Sequence, residues 1–191
     1  LPLSSGQYQF NDWTVDAPFL KDSSNAGHLY QQVGLIFQNS DIQLFNTTVA
    51  EELAFGPRQL GLREEEIEKR VKDTLALLEI EHLRDRIPYH LSGGEKKLVA
   101  IASVLTMNPS VLLFDEPFNG LSPKYQRLIV ELLQELKTAG KTIIISSHHF
   151  DQIAPLVERV FLFSEEHTIT GCYTKTEWEA HPEIKQSFST C

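Results

Sequence analysis

Two carboxylates, Asp115 and Glu116, stand directly after the apolar run VLLF, and a second apolar run, TIIIS, leads to His148 and His149. In open α/β sheets the ligand crevice lies off the carboxyl ends of the strands, so acids and histidines placed there can meet a ligand. One carboxylate at such a point can hold Mg²⁺ through its waters, and its neighbour can polarise an attacking water. Gln38, just after the run VGLIF, adds another polar group of the same placement. Singly these residues mean little, because DEPF is also a solvated turn and a histidine at a strand end is usually structural. The functional reading rests on their grouping at the ends of several strands.

The stretch HLSGGEKKLVAIA, His90 to Ala102, supports a second kind of chemistry. Ser92, Gly93, Gly94 and Glu95 read S-x-x-E, a capping box that would stabilise any helix start. The same residues also suit an anion. Two glycines strip side chains from a helix start, so backbone N–H groups and the positive end of the helix dipole can approach a phosphate closely. Ser92 would then donate its hydroxyl rather than only cap. Both readings remain open at this level.

These residues need a scaffold, and the chain spells one out. VGLIF (33–37), VLLF (111–114), TIIIS (142–146) and VFLF (160–163) are nearly continuous apolar runs, the pattern of strands covered on both faces in a parallel sheet. SPKYQRLIVELLQELKTAG predicts a helix with Ser122 as N-cap, Pro123 at the first position, leucines at 128, 132 and 136, and Gly140 as the stop. REEEIEKRVKDTLALLEI places Ile67, Val71, Leu75 and Leu78 on one face and its charges on the other. Residues 48–108 read as helical without a strand, so an α/β core with an inserted helical subdomain is expected. Residues 164–191 read as a polar C-terminal tail.

Composition narrows the functions. The 191 residues carry 41% apolar side chains, enough for one domain with a real core. A formal charge of −9 disfavours holding a phosphate-rich polymer by counterion release, so no nucleic-acid partner is expected. The 2 cysteines, Cys172 and Cys191, form neither a CxxC pair nor a disulfide framework. No apolar run reaches the roughly 18 residues that a membrane span needs, so any membrane link goes through a partner.

With these motifs in order, the chain resembles the ATP-binding cassette (ABC) ATPases. Gln38, LSGGE, VLLFDEP, the NGLS turn from Asn119 to Ser122, and His148 match that family's Q-loop, signature, Walker B, D-loop and switch histidine across residues 1–163. The resemblance implies a P-loop NTPase-like, mostly parallel α/β sheet, with ATP and Mg²⁺ as cofactors. It implies that Asp115 binds Mg²⁺ through water, Glu116 is the general base and His148 contacts the γ-phosphate. Gln38 would link the metal to a membrane partner, and Ser92, Gly93, Gly94 and Glu95 would bind nucleotide in trans. FQNSDIQLF followed by AFGP is similar to the energy-coupling-factor and cobalt-uptake importers. That implies a peripheral subunit on the cytoplasmic face of the membrane, paired head to tail with a second ABC ATPase as a homo- or heterodimer, driving a transmembrane transporter subunit.

The family's phosphate loop, G-x-x-x-x-G-K-[ST], does not occur among these residues. Gly140, Lys141 and Thr142 spell GKT, but Glu135 stands where the first glycine belongs, and the triplet follows a helix and precedes a strand. The expectation is an N-terminally truncated domain lacking the Walker A segment and, on its own, inactive. Ser122, Leu98 and His149 also depart from the residues usual at their positions. Two other readings stay open: a non-catalytic remnant kept as an interaction surface, and a soluble ABC-type ATPase unconnected with transport.

Overall fold

A computed structural model describes residues 3, 5–147 and 153–180. A short hairpin, β1 (Gln9–Phe10) and β2 (Trp13–Thr14), leads to helices α1 (Ala17–Lys21) and α2 (Ser23–Gln32). The Asp22 carboxylate starts α2 by accepting from the amides of Ser24 and Asn25. Strand β3 (Val33–Ile36) then gives way to three helices, α3 (Val49–Gln59), α4 (Glu64–Leu77) and α5 (Gly93–Leu105). Strand β4 (Val111–Asp115), helix α6 (Pro123–Thr138) and strand β5 (Thr142–Ser146) follow, then β6 (Arg159–Phe163), β7 (Ile169–Thr174) and α7 (Lys175–Ala180).

The helix ends obey local chemistry. Thr48 caps α3 by accepting from the Glu51 amide, and Ser122 caps α6 with Pro123 in its first turn. Gly140, at φ 78°, supplies the left-handed residue just beyond α6, a conformation that favours glycine. Helix α4 has no side-chain cap, but Glu64, Glu65 and Glu66 in its first turn oppose the positive end of its dipole. Its expected face is buried as a row, since Ile67, Val71, Leu75 and Leu78 all lie in the core. Each such side chain contributes about 1.5–3 kcal/mol of burial.

Strands β3, β4 and β5 form one parallel sheet in that order, with Ile36 beside Phe114 and Phe114 beside Ile145. The face carrying Ile36, Leu112 and Phe114 is buried in one core shared with residues of α3, α5 and α6. The opposite face is half-open, with Leu35 42% and Ile144 55% exposed. The apolar runs predict cover on both faces, and among the described residues only one face has it.

Two further expectations change. VFLF forms strand β6 but pairs antiparallel with β7 in a separate two-stranded sheet rather than in the parallel one. A short apolar run cannot reveal its partner's direction, and Phe161 and Phe163 on this strand are exposed. The segment read as a polar tail holds β7 and α7, and Trp178 packs on Val160 to make a second small core. Glu177 secures that corner by accepting from the amide and hydroxyl of Thr174.

Gly34 marks the tightest helix–sheet contact. A Cβ there would collide with Val104 Cγ1 and lie 3.0 Å from Pro109 Cγ. Gly34→Ala is therefore expected to destabilise the fold by about 1–3 kcal/mol through overpacking. Urea unfolding followed by circular dichroism measures it, with an unchanged slope if only the native state is strained.

Candidate functional site

The parallel register brings the chain out of β3, β4 and β5 at one level. Asp115 ends β4 half-buried, and one of its carboxylate oxygens accepts from Ser146 Oγ at 2.6 Å. The next amide, that of Glu116, donates to Ser146 O, so the β4–β5 ladder extends one residue into the turn. Glu116 sits at φ 43°, a left-handed conformation that costs a non-glycine residue about 1–3 kcal/mol. Its Oε2 atom is buried. The turn that follows carries Asn119 and Gly120, the latter at φ 72°, into the capped start of α6.

Gln38 lies exposed beyond the end of β3, but its backbone is held. Lys97, on α5 and only 2% exposed, donates from Nζ to Phe37 O at 3.0 Å and to Gln38 O at 2.9 Å. Burial lowers the Lys97 proton affinity, and the negative charges of Asp115 and Glu116 work against that shift. Two flanking contacts join the same segment to α5. Lys96 pairs with Asp41 at 2.6 Å, and Gln43 Nε2 donates to Ala100 O at 3.1 Å.

The helix start is a complete capping box. Ser92 Oγ accepts from the Glu95 amide, and the Glu95 carboxylate accepts from the Ser92 amide at 2.8 Å and from the Ser92 hydroxyl at 2.6 Å. The hydroxyl read as a phosphate donor is thus engaged by Glu95 here. Those Ser92 hydrogen bonds hold the Glu95 carboxyl below its ordinary range. The two glycines differ. A Cβ on Gly94 would lie 2.8 Å from the Tyr125 ring, whereas a Cβ on Gly93 meets nothing within 4 Å. A cleft of about 170 Å³ joins Gln38, Asp41, Gly93, Lys96, Lys97 and Asn119.

The structure therefore brings Gln38, Gly93 and the NGLS turn together beside the Asp115–Glu116 strand end. His148 and His149 lie outside the described residues. Sequence reasoning passed over Lys97, Gln43 and Glu52. Lys97 stands four residues before the buried Ile101, on the inward face of α5, and that spacing was its available signal. Glu52 is buried and accepts from the Phe45 and Asn46 amides at 2.9 and 2.8 Å, fixing the loop before α3. Nothing in AEEL distinguishes it from the exposed Glu51.

Two measurements follow from the helix start. Gly94→Ala should lose about 1–3 kcal/mol against Tyr125, while Gly93→Ala should unfold no more easily than wild type; urea titration compares them. The capping carboxylate should also leave a pH signature. Its folded value is depressed, so its stabilisation is complete above the ordinary carboxylate range and is lost as pH falls through the depressed value. The acid arm of thermal stability should flatten in Glu95→Gln, and parallel wild-type and variant curves would remove Glu95 from that dependence.

Comparison with known proteins identifies the family. A family model described as "AAA domain, putative AbiEii toxin, Type IV TA system" matches residues 5–153. The nickel import ATP-binding protein LarO of Lactiplantibacillus plantarum is 48% identical over 187 residues, spanning 98% of this chain and 78% of that protein. The energy-coupling factor transporter ATP-binding protein EcfA of Methanococcus maripaludis is 46% identical over 150 residues, or 78% of this chain and 54% of its own length. The structure of CbiO1 from Clostridium perfringens, part of the ABC transporter complex CbiONQ, superimposes with a TM-score of 0.76 at 36% identity, covering 96% of this chain and 72% of that one. With its 5–153 core in the matched AAA-domain family and 48% identity to a relative it largely spans, the chain belongs to the ABC transporter ATP-binding proteins.

Proposed function

We propose that this chain is the ATP-hydrolysing subunit of an ABC importer of the energy-coupling-factor or cobalt/nickel type, paired head to tail with a second ATP-binding subunit. The convergence of Gln38, Gly93 and Asn119 on one cleft, next to the strand end bearing Asp115 and Glu116, carries the reading. Gly93 supports it, because among the described residues a side chain there would meet nothing within 4 Å, which leaves the helix start open to a phosphate.

The roles are those the family's motifs imply. Asp115 would hold Mg²⁺, Glu116 would be the general base, Gln38 would contact the metal side of the nucleotide, and His148, by its place in the sequence motif alone, would meet the γ-phosphate. Ser92, Gly93, Gly94 and Glu95 receive the nucleotide held by the other subunit. Among the described residues no group of three His, Cys, Asp or Glu is gathered for a metal. The donor set nonetheless fits Mg²⁺ carried by a nucleotide, which takes one or two carboxylates and keeps phosphates and waters as its other ligands. When bound, Mg²⁺ supplies charge neutralisation at the phosphates. Glu116 would orient and deprotonate the attacking water, and its pinned backbone keeps that carboxylate at the strand end. Ser92 would have to release Glu95 before its hydroxyl could turn to a phosphate oxygen.

The 191 residues contain no G-x-x-x-x-G-K-[ST], so on their own they should hydrolyse ATP negligibly. No helix among the described residues is long and apolar enough to cross a membrane. We place the subunit at the cytoplasmic face, docked to a transmembrane partner. Ile42 and Phe45, 69% and 66% exposed, support such docking, as does Phe55 standing edge-on to Phe45 at 4.9 Å. Residues 48–108 would form the helical subdomain that meets this partner.

The decisive experiment separates binding from turnover in the assembled complex. Glu116→Gln keeps size and hydrogen bonding, so ATP should still bind while hydrolysis falls by about 10²-fold or more. Asp115→Asn should instead weaken the Mg²⁺ dependence of binding. Ser92→Asp should preserve the fold, since aspartate also caps, yet abolish the ATP-bound dimer by setting a charge against an anion. Wild-type turnover in Glu116→Gln, or an intact ATP dimer in Ser92→Asp, would overturn the assignment.

A further inference from the structure

We infer that Lys97 is a positioning residue, whose buried ammonium ties the Phe37–Gln38 backbone to α5 and so sets where the Gln38 side chain stands in the site. The inference rests on the nucleotide reading above. Lysine is seldom fully buried unless partnered, and Lys97 is 2% exposed. Its partners are not a carboxylate at bonding distance but two consecutive main-chain carbonyls. Those carbonyls lie past the last registered pair of β3, Ile36 with Phe114, so the strand ladder does not serve them. Asp115 and Glu116 at the end of β4 favour its charged form, though burial outweighs them.

Lys97 thus connects three pieces of the site: its own backbone follows Ser92 to Glu95 by two residues, its bonds end on the Phe37 and Gln38 carbonyls, and the negative charges of the acid pair favour its charged form. The flanking tie from Lys96 to Asp41 ends on a side chain 66% exposed and is correspondingly weak. The Lys97 bonds are partly buried and charge-assisted, which makes them the stiffer link. Any displacement of α5 when its N-terminus receives a phosphate is therefore passed to the backbone of Gln38. Neither Lys97 nor Phe37 needs to touch nucleotide for this.

The test uses Lys97→Met, which keeps the stem and removes charge and donors, and Lys97→Arg, which restores both. Amide hydrogen exchange in the 191-residue chain reads the tether directly. In Lys97→Met, residues 37–43 should exchange about tenfold faster or more while α4 stays within about twofold of wild type. In the assembled complex, the Mg²⁺ concentration for half-maximal hydrolysis should rise about 10–100-fold, the usual effect of losing a residue that orients a metal-side ligand. Lys97→Arg should recover most of both. Unchanged exchange at 37–43 in Lys97→Met would overturn the tether, and equal loss of protection across α3, α4 and α5 would reduce Lys97 to a stabilising residue. If the tether is confirmed but Mg²⁺ activation is unmoved in a complex that hydrolyses ATP, the positioning role falls. A wild-type complex without Mg-ATP turnover would instead strike the nucleotide reading, and the exchange result would stand apart from it.

Discussion

Three parallel strands in matched register, with Ile36, Phe114 and Ile145 side by side, oblige the chain to leave the sheet at one level each time it crosses. The strand-end part of the site follows from that alignment. Gln38, the Asp115–Glu116 pair and the Ser146 end of β5 are distant in sequence and come to one edge because parallel strands end where their partners end. The hydrogen bonds from Ser146 to the Asp115 carboxylate and from the Glu116 amide to Ser146 lock the last step of that alignment. A slip of one residue in β4 would turn its buried row to the half-open face and Asp115 toward the core.

Helix α5 performs the second act of placement. Its C-terminal half is anchored in the core by Leu98, Val99, Ile101 and Ala102, and its first turn is left polar and glycine-rich at the cleft. On the proposed function, one helix would therefore carry both a stability role and a ligand-facing role, with the two glycines dividing them. Gly94 makes room for Tyr125, while a Cβ on Gly93 would meet nothing within 4 Å among the described residues. Ser92 is shared between the roles, since the hydroxyl that completes the capping box is the one a phosphate would claim.

The parts legible in the sequence were those governed by local rules. Caps, stops and the buried row of α4 depend on neighbours within one or two turns, and continuous apolar runs found all of the parallel strands. What stayed hidden depended on partners distant in the chain. The direction in which β6 pairs is decided by β7, beyond a turn, and the run VFLF is silent about it. Glu52 and Glu51 are identical letters, and only the fold shows that one faces the Phe45–Asn46 loop. Lys97 sat in a charged-looking KK pair, while its burial follows from carbonyls some 60 positions earlier. In the site, the strand-end acids and LSGGE were legible because their spacing is local. The bonds that hold them to one another were not.

Glu116 shows how such a site resists improvement. Its left-handed backbone would suit glycine, or failing that asparagine, better than glutamate. A search through random variants that rewarded only resistance to heat would drift toward those residues at this position and, on the role proposed for Glu116, silence the subunit without disturbing its outline. On that role, position 116 is a place where selection must act continually against the backbone's own preference. A lineage released from the need to turn over nucleotide should lose its glutamate there early.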